Sequence, residues 1–140
     1  MYDTSLGMIQ NLLQDVKNHG FVPNGGRIYY LDRSQPPVLA EIVLSYTKTL
    51  VRVYNGTLTN ELVAFLSSAY ETLKKEYAFW MDERNGHLVT IGSMKLNRYS
   101  SQVPEPRPES YLEDYTNAGF VDISEMYMHL RAGIVFFLYK

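Results

Sequence analysis

The sequence predicts a mainly α fold with one short β-hairpin, because apolar residues recur at helical spacing in three segments and strand-like runs occur in only one. Nothing in the pattern alternates strands with helices, so a parallel sheet is not expected. The chain has 140 residues and 46% hydrophobic content, which is enough for one domain with a real core and argues against disorder. We therefore predict that residues 1–140 form a single domain of paired amphipathic helices.

Three amphipathic helices are predicted in the first part of the chain. Apolar residues at helical spacing mark them between 6 and 16, between 39 and 53, and between 62 and 80. Residues suited to helix ends and turns separate these segments, since glycine stops a helix and proline fits a first helical turn. They are Gly20, Pro36 or Pro37, and Asn55-Gly56-Thr57.

The later part of the chain contains the strand signal. Residues 88–97 predict a short hairpin with Gly92-Ser93 as its turn. Ser110 followed by Glu113 forms a capping-box pattern, which predicts that another helix begins there. A final helix is predicted over residues 124–131.

Composition excludes several classes of function. Thirteen basic and fifteen acidic residues give a net charge of -2 without the clustered Lys and Arg that nucleic acid requires, so we expect no nucleic-acid partner. The absence of cysteine excludes disulfides, thiolate nucleophiles and cysteine-based zinc sites. His19, His87 and His129 lie far apart in the sequence, so we expect no metal site. The apolar run 134–139 is far shorter than the roughly 20 residues of a membrane-spanning helix.

The sequence leaves the localisation of the protein open. Its first residues lack a basic region followed by an apolar run, so we predict no signal peptide in this chain. The triplet 55–57 is an N-glycosylation sequon, which is typical of a surface loop in a secreted protein. Either the protein is intracellular or the true start is missing, and the sequon slightly favours secretion.

Residues 23–37 combine glycines with guanidinium, amide and tyrosine side chains in one loop. A neutral sugar offers hydroxyls that both donate and accept hydrogen bonds, so a sugar site needs planar bidentate groups and aromatic faces. Gly25 and Gly26 allow a tight backbone turn that other residues resist. Taken singly, each residue of this loop is also typical of an ordinary turn or of a surface ion pair.

The contiguous pattern of this loop resembles the trehalase family of glycoside hydrolases. It consists of Asn24-Gly25-Gly26-Arg27, Tyr29-Tyr30-Leu31 and Arg33-Ser34-Gln35-Pro36-Pro37. The resemblance places the family's substrate-binding asparagine on Asn24 and its Arg-Ser-Gln triplet on Arg33, Ser34 and Gln35. These four residues are thereby expected to contact trehalose hydroxyls. Arg27 also matches a family arginine, and for it we favour a buried ion pair that organises the loop.

A second cluster, residues 106–111, extends the resemblance with the string Pro-Arg-Pro-Glu-Ser-Tyr. An extended proline-containing segment that runs into a helix holds its side chains on a stiff backbone, and such rigidity suits a binding site. The resemblance implies sugar contacts for Arg107, Pro108 and Glu109. The alternative is a local Arg107–Glu109 pair at the surface, worth at most about 1 kcal/mol.

The resemblance implies that this chain forms part of an α/α toroid and belongs to an enzyme that hydrolyses trehalose to two glucose molecules with inversion and without a cofactor. In the family, a helix ending like residues 128–133 is soon followed by Glu-Ser-Gly-Trp-Asp, whose aspartate is the general acid. Here residues 133–140 diverge into an apolar tail, and the family's base is absent too. Because hydrolysis needs two carboxyl groups, we predict no catalytic residue in this chain and no activity of the chain alone.

Two other interpretations stay open. In the first, the chain is a noncatalytic trehalose-binding or helix-interaction fragment that pairs with the complete enzyme. In the second, the last residues are read from noncoding sequence and the product is incomplete. The resemblance suggests a secreted or cell-surface protein, and the small-molecule partner that it implies is trehalose.

Overall fold

The computed structural model describes residues 2–98 and 107–117, which fall into two compact units. The first unit comprises Met1–Gly26 and Ser34–Phe79, and the second comprises Arg27–Arg33 and Trp80–Lys140. Four α-helices and one two-stranded hairpin supply most of the regular structure of the described residues, so the prediction of a mainly α fold is confirmed. The helix predicted over 124–131 and the tail 133–140 lie outside the described residues.

Helix α1 spans Tyr2–His19 and buries Ile9, Leu13 and Val16, which share one face because they are four and then three residues apart. The helix ends where the sequence predicts. Gly20 adopts a left-handed φ of 85°, and its N–H donates to the carbonyl of Val16 at 2.8 Å. A residue with a Cβ would be strained at this φ, so glycine is required for this helix end.

Helix α2 spans Leu39–Val53 and helix α3 spans Asn60–Trp80, in agreement with the predicted segments. The expectation that a proline occupies the first turn of α2 is wrong. Val38 is the N-cap residue, so both prolines precede the helix, and the N–H of Val38 donates to the carbonyl of Pro36 at 2.8 Å. A proline cap therefore does not start this helix.

The core of the first unit is apolar and is built from all three of its helices. Edge-to-face packing of Tyr46 on Phe65, with ring centroids 5.8 Å apart, joins α2 to α3. Phe21 stacks on Phe79 at 4.7 Å. Each large apolar side chain that is buried in this way contributes about 1.5–3 kcal/mol of transfer free energy. The buried cluster consists of Ile9, Leu13, Val16, Val22, Leu39, Val43 and Ala69.

The second unit contains the predicted hairpin. Strand β1, Leu88–Ile91, pairs antiparallel with strand β2, Met94–Asn97, and Gly92 turns between them with a φ of 63°. The base of the hairpin is fixed on Trp80. The side chain of Asn97 donates to the carbonyl of Trp80, and the His87 ring lies 4.7 Å from the Trp80 ring.

Helix α4, Tyr111–Asn117, begins directly after Ser110, as the capping-box pattern predicts. It is preceded by a 3₁₀ turn over Pro108–Ser110, whose first residue is a proline. A second 3₁₀ segment, Ile28–Asp32, lies inside the loop of residues 23–37. No helix among the described residues combines the length and the apolarity that crossing a membrane requires.

Candidate functional site

In the first unit, the two ends of the polar loop are joined by hydrogen bonds between Asn24 and Gln35. The side-chain amide of Gln35 donates to Oδ1 of Asn24 at 3.0 Å and to the backbone carbonyl of Asn24 at 3.1 Å. The backbone N–H of Gln35 donates to the carbonyl of Val22 at 2.8 Å, and Pro23 pairs with Ser34 in an isolated antiparallel bridge. The loop therefore places Asn24, Ser34 and Gln35 next to one another.

The glycines of this loop do not act as expected. Neither Gly25 nor Gly26 has a positive φ. A Cβ added at Gly26 would meet no heavy atom within 4 Å, so neither strain nor crowding requires a glycine there. The prediction of a glycine-dependent turn is wrong at Gly26.

In the second unit, Arg33 and Glu109 form a bidentate ion pair across 76 residues of sequence. Nη1 and Nη2 of Arg33 donate to the two carboxylate oxygens of Glu109 at 2.7 and 3.1 Å. The two side chains are 19% and 30% exposed, so the pair remains accessible to solvent. The hydrogen bond from Arg33 holds the pKa of Glu109 below its usual range, and Glu109 is therefore a carboxylate at neutral pH.

Tyrosines flank the arginines of the same loop. The guanidinium of Arg33 lies 5.1 Å from the centroid of the Tyr30 ring, which is a cation–π distance. Arg27 is exposed, with its guanidinium 6.0 Å from the centroid of the Tyr29 ring. The expectation that Arg27 forms a buried ion pair is wrong, because this side chain lies at the surface against the Tyr29 ring.

Arg107 is held by Asp114 of α4. One carboxylate oxygen of Asp114 accepts from the backbone N–H of Arg107 at 3.1 Å and from Nε at 2.9 Å, and the other accepts from Nη2 at 2.7 Å. Asp114 is 8% exposed, whereas the Arg107 side chain is 48% exposed. A buried carboxylate thus orients a guanidinium that is accessible to solvent.

The alternative of a local Arg107–Glu109 pair is wrong. Each of these residues is bound by a different partner, Arg107 by Asp114 and Glu109 by Arg33. The second unit therefore contains four of the predicted site residues, Arg33, Arg107, Pro108 and Glu109. Pro108 lies between Arg107 and Glu109 and begins the 3₁₀ turn. The orienting role of Asp114 was not predicted from the sequence, where this residue only continues the resemblance after Glu109.

One buried carboxyl group was missed altogether. Glu76 lies on α3 at 5% exposure, on the stripe that includes Ala69 and Thr72. Burial raises its pKa to about 7, because an ionised carboxylate loses its hydration in this environment. The sequence signal is that an acidic residue occupies an apolar position of the helical repeat. Across residues 2–98 and 107–117, no three His, Cys, Asp or Glu side chains are placed to hold a metal ion.

Known proteins resemble this chain along most of its length. A family model described as Trehalase matches residues 1–134. The trehalase of Tenebrio molitor is 38% identical over 137 residues, which cover 94% of this chain and 23% of that protein. The human trehalase is 41% identical over 137 residues, which cover 95% of this chain and 22% of that protein. The trehalase of Dictyostelium discoideum is 40% identical over 121 residues, with coverage of 84% and 19%.

The chain thus spans less than a quarter of the length of these relatives, between 19% and 23%. Its mainly helical architecture with one antiparallel hairpin is consistent with part of a helical toroid. The match covers both polar clusters, since residues 24–35 and 107–114 lie within the matched range. On these grounds the chain belongs to the trehalase family of glycosidases.

Proposed function

We propose that this chain is a substrate-binding segment of an α,α-trehalase, which hydrolyses trehalose to two glucose molecules with inversion. The observation that carries the proposal is the bidentate Arg33–Glu109 pair, with distances of 2.7 and 3.1 Å. Such a pair offers a fixed donor and a fixed acceptor side by side. A sugar hydroxyl needs both, because it donates one hydrogen bond and accepts others.

In the second unit, Arg33, Arg107 and Glu109 supply charged groups for sugar hydroxyls. Glu109 orients the Arg33 guanidinium and Asp114 orients the Arg107 guanidinium before a ligand arrives. Less side-chain entropy is therefore lost on binding. Pro108 has no N–H, and its contribution is a stiff backbone and a carbonyl acceptor. In the first unit, Asn24, Ser34 and Gln35 supply amide and hydroxyl groups of the same kind.

We further propose that these 140 residues do not hydrolyse trehalose by themselves. Inverting hydrolysis needs a protonated carboxyl group beside the leaving oxygen and a carboxylate base about 6.5–9.5 Å away. Glu109 does not suit the acid role, because its bond from Arg33 lowers its pKa. Both oxygens of Asp114 accept from Arg107. Glu76 has the raised pKa of an acid, but its burial at 5% exposure fits a place inside the helix packing.

A chimeric enzyme tests this function. Residues 1–134 replace the matching segment of the Tenebrio molitor trehalase, and glucose release from trehalose is measured beside that of the parent enzyme and of the chain alone. We expect a folded and active chimera and no glucose from the isolated chain. A folded chimera without activity contradicts the assignment of the segment, and sustained turnover by the isolated chain contradicts the proposed absence of its catalytic groups.

A second candidate function is that of a noncatalytic fragment that binds trehalose or another helical segment. An open groove of about 460 Å³ between α1 and α2 favours it, together with exposed apolar residues on α2. The groove is lined by Tyr2, Ser5, Met8, Ile9, Leu12, Ile42, Ser45, Tyr46 and Thr49. Calorimetric titration of the chain with trehalose, compared with its Arg33→Ala variant, tests the sugar-binding form. Equal or absent heats in both proteins contradict it.

A further inference from the structure

Backbone hydrogen bonds hold the turn at Asn55 and Gly56, between α2 and α3. Asn55 and Gly56 have left-handed φ values of 52° and 86°. The N–H of Gly56 donates to the carbonyl of Val51 at 2.8 Å, and that of Thr57 donates to the carbonyl of Tyr54 at 3.0 Å. Asparagine and glycine tolerate this conformation better than other residues, which accounts for their presence here.

The side chains of Asn55 and Thr57 have no structural task in this turn. Both residues are exposed, and within the described part of the chain neither the Asn55 amide nor the Thr57 hydroxyl takes part in a hydrogen bond. Space around the turn is open, since a Cβ added at Gly56 would meet no heavy atom within 4 Å. The residues on either side, Tyr54 and Leu58, are large, apolar and exposed.

We propose that Asn55 is the acceptor of an N-linked glycan, a modification independent of sugar hydrolysis. Asn55-Gly56-Thr57 satisfies the acceptor triplet, because its middle residue is not proline and its third residue is threonine. The donor is a lipid-diphosphate-linked oligosaccharide in the lumen of the endoplasmic reticulum. A bond forms between Nδ2 of Asn55 and C1 of the first sugar, the C1–oxygen bond to the lipid diphosphate breaks, and the amide loses one proton.

Besides leaving Asn55 accessible, the structure gives a glycan at this residue a physical role. Tyr54 and Leu58 form an exposed apolar pair that flanks the acceptor, and exposed apolar surface favours association with other chains. A bulky solvated group on Asn55 shields both side chains. Because the Asn55 side chain is exposed and makes no hydrogen bond within the described residues, the modification leaves α2 and α3 undisturbed.

The test expresses the chain behind a heterologous signal sequence in mammalian cells and recovers it from the lumenal and secreted fractions. Trypsin releases residues 53–74, which follow Arg52 and end at Lys74. Treatment with peptide N-glycosidase F removes the glycan and converts Asn55 to aspartate, which mass spectrometry detects in this peptide. We expect a mobility shift that the enzyme reverses and a deamidated Asn55 in the peptide.

Matched variants separate acceptor chemistry from folding. Asn55→Gln and Thr57→Ala lose the glycan, whereas Thr57→Ser keeps it because serine also serves at the third position. Asn60→Gln is the control, since Asn60 lies in the same peptide but is followed by Glu61-Leu62. An unmodified peptide from lumenal wild-type chain overturns the proposal, and so does a glycan that persists in Thr57→Ala.

Discussion

The two units of this chain are stabilised by different interactions. The first depends on an apolar cluster to which α1, α2 and α3 all contribute. In the second, ion pairs and hydrogen bonds connect distant segments, as Arg33–Glu109 and Asn97–Trp80 show. Apolar packing needs only side chains of the right size, whereas a bidentate pair needs two particular groups in one geometry. The second unit therefore depends on particular polar groups, such as the Arg33 guanidinium and the Glu109 carboxylate, being held in one geometry.

The difference also separates stability from function. A change in the apolar cluster should act mainly on the free energy of unfolding. A change in the ion pairs, which remain partly exposed, should act more on ligand binding than on stability, because exposed pairs contribute little to folding.

The largest effect is expected for Leu39→Ala in the apolar cluster. Leu39 is 2% exposed, and truncation leaves a cavity that the surrounding helices fill only in part. We expect a loss of about 2–5 kcal/mol in the free energy of unfolding, measured by urea denaturation and circular dichroism. Leu44→Ala on the exposed face of α2 is the control and should stay within about 0.5 kcal/mol. Equal losses in the free energy of unfolding of the two variants contradict the claim that the apolar cluster stabilises the first unit.

Glu76→Gln should change how stability depends on pH. The folded-state pKa of about 7 lies above the ordinary 4.5, so the folded state holds its proton more tightly than the unfolded state. The contribution of Glu76 to the free energy of unfolding is therefore fully present below pH 4.5 and is lost as pH rises through about 7. The difference corresponds to about 3 kcal/mol. Glu76→Gln should be more stable than wild type by up to this amount at high pH and similar to it at low pH.

Urea denaturation across pH checks this prediction, with Glu71→Gln as its control. Glu71 lies on the same helix but at the surface, beside Lys74 at 2.8 Å. It should follow the wild-type curve. If Glu76→Gln shows the same fall in stability above neutral pH as wild type, burial of the Glu76 carboxyl is not the cause of that fall.

Asp114→Asn should lower kcat/KM for trehalose in the chimera by about 10- to 100-fold, because a charged hydrogen-bond partner of Arg107 is worth about 1.5–3 kcal/mol. The effect should fall mainly on KM, since Asp114 acts through the position of Arg107. Asp82→Asn is the matched control, because Asp82 binds Arg84 in the same bidentate manner outside the proposed binding residues. Similar kinetics for both variants contradict a positioning role.

A smaller effect is expected at the hairpin base. Burial lowers the pKa of His87, which packs on Trp80, with Arg98 and Asp32 as its charged neighbours. The contribution of His87 to stability is therefore full above the ordinary pKa of 6.5 and is lost as pH falls through the lower folded-state value. Trp80 is the single tryptophan, so its fluorescence reports this change. His87→Gln should remove the acid-induced emission change, and an unchanged titration contradicts it.

Local patterns predicted the helices and the hairpin well. The end of α1 at Gly20 and the turn at Gly92 follow from apolar spacing and turn chemistry that act over a few residues. The partner of Glu109 could not be predicted from spacing, because Arg33 lies 76 residues away and Arg107 is the nearer cation. The raised pKa of Glu76 also escaped prediction, because it depends on the burial of this side chain in the folded chain.

Arg33→Lys in the chimera tests whether the bidentate Arg33–Glu109 pair serves substrate binding. Lysine keeps the charge but cannot form the bidentate pair with Glu109. We predict a loss of about 10- to 100-fold in kcat/KM for trehalose, the equivalent of about 1.4–2.8 kcal/mol. Arg84→Lys, at an exposed ion pair with Asp82, should keep parental kinetics. Equal kinetics for Arg33→Lys and Arg84→Lys, in chimeras with matching circular dichroism spectra, would contradict the account.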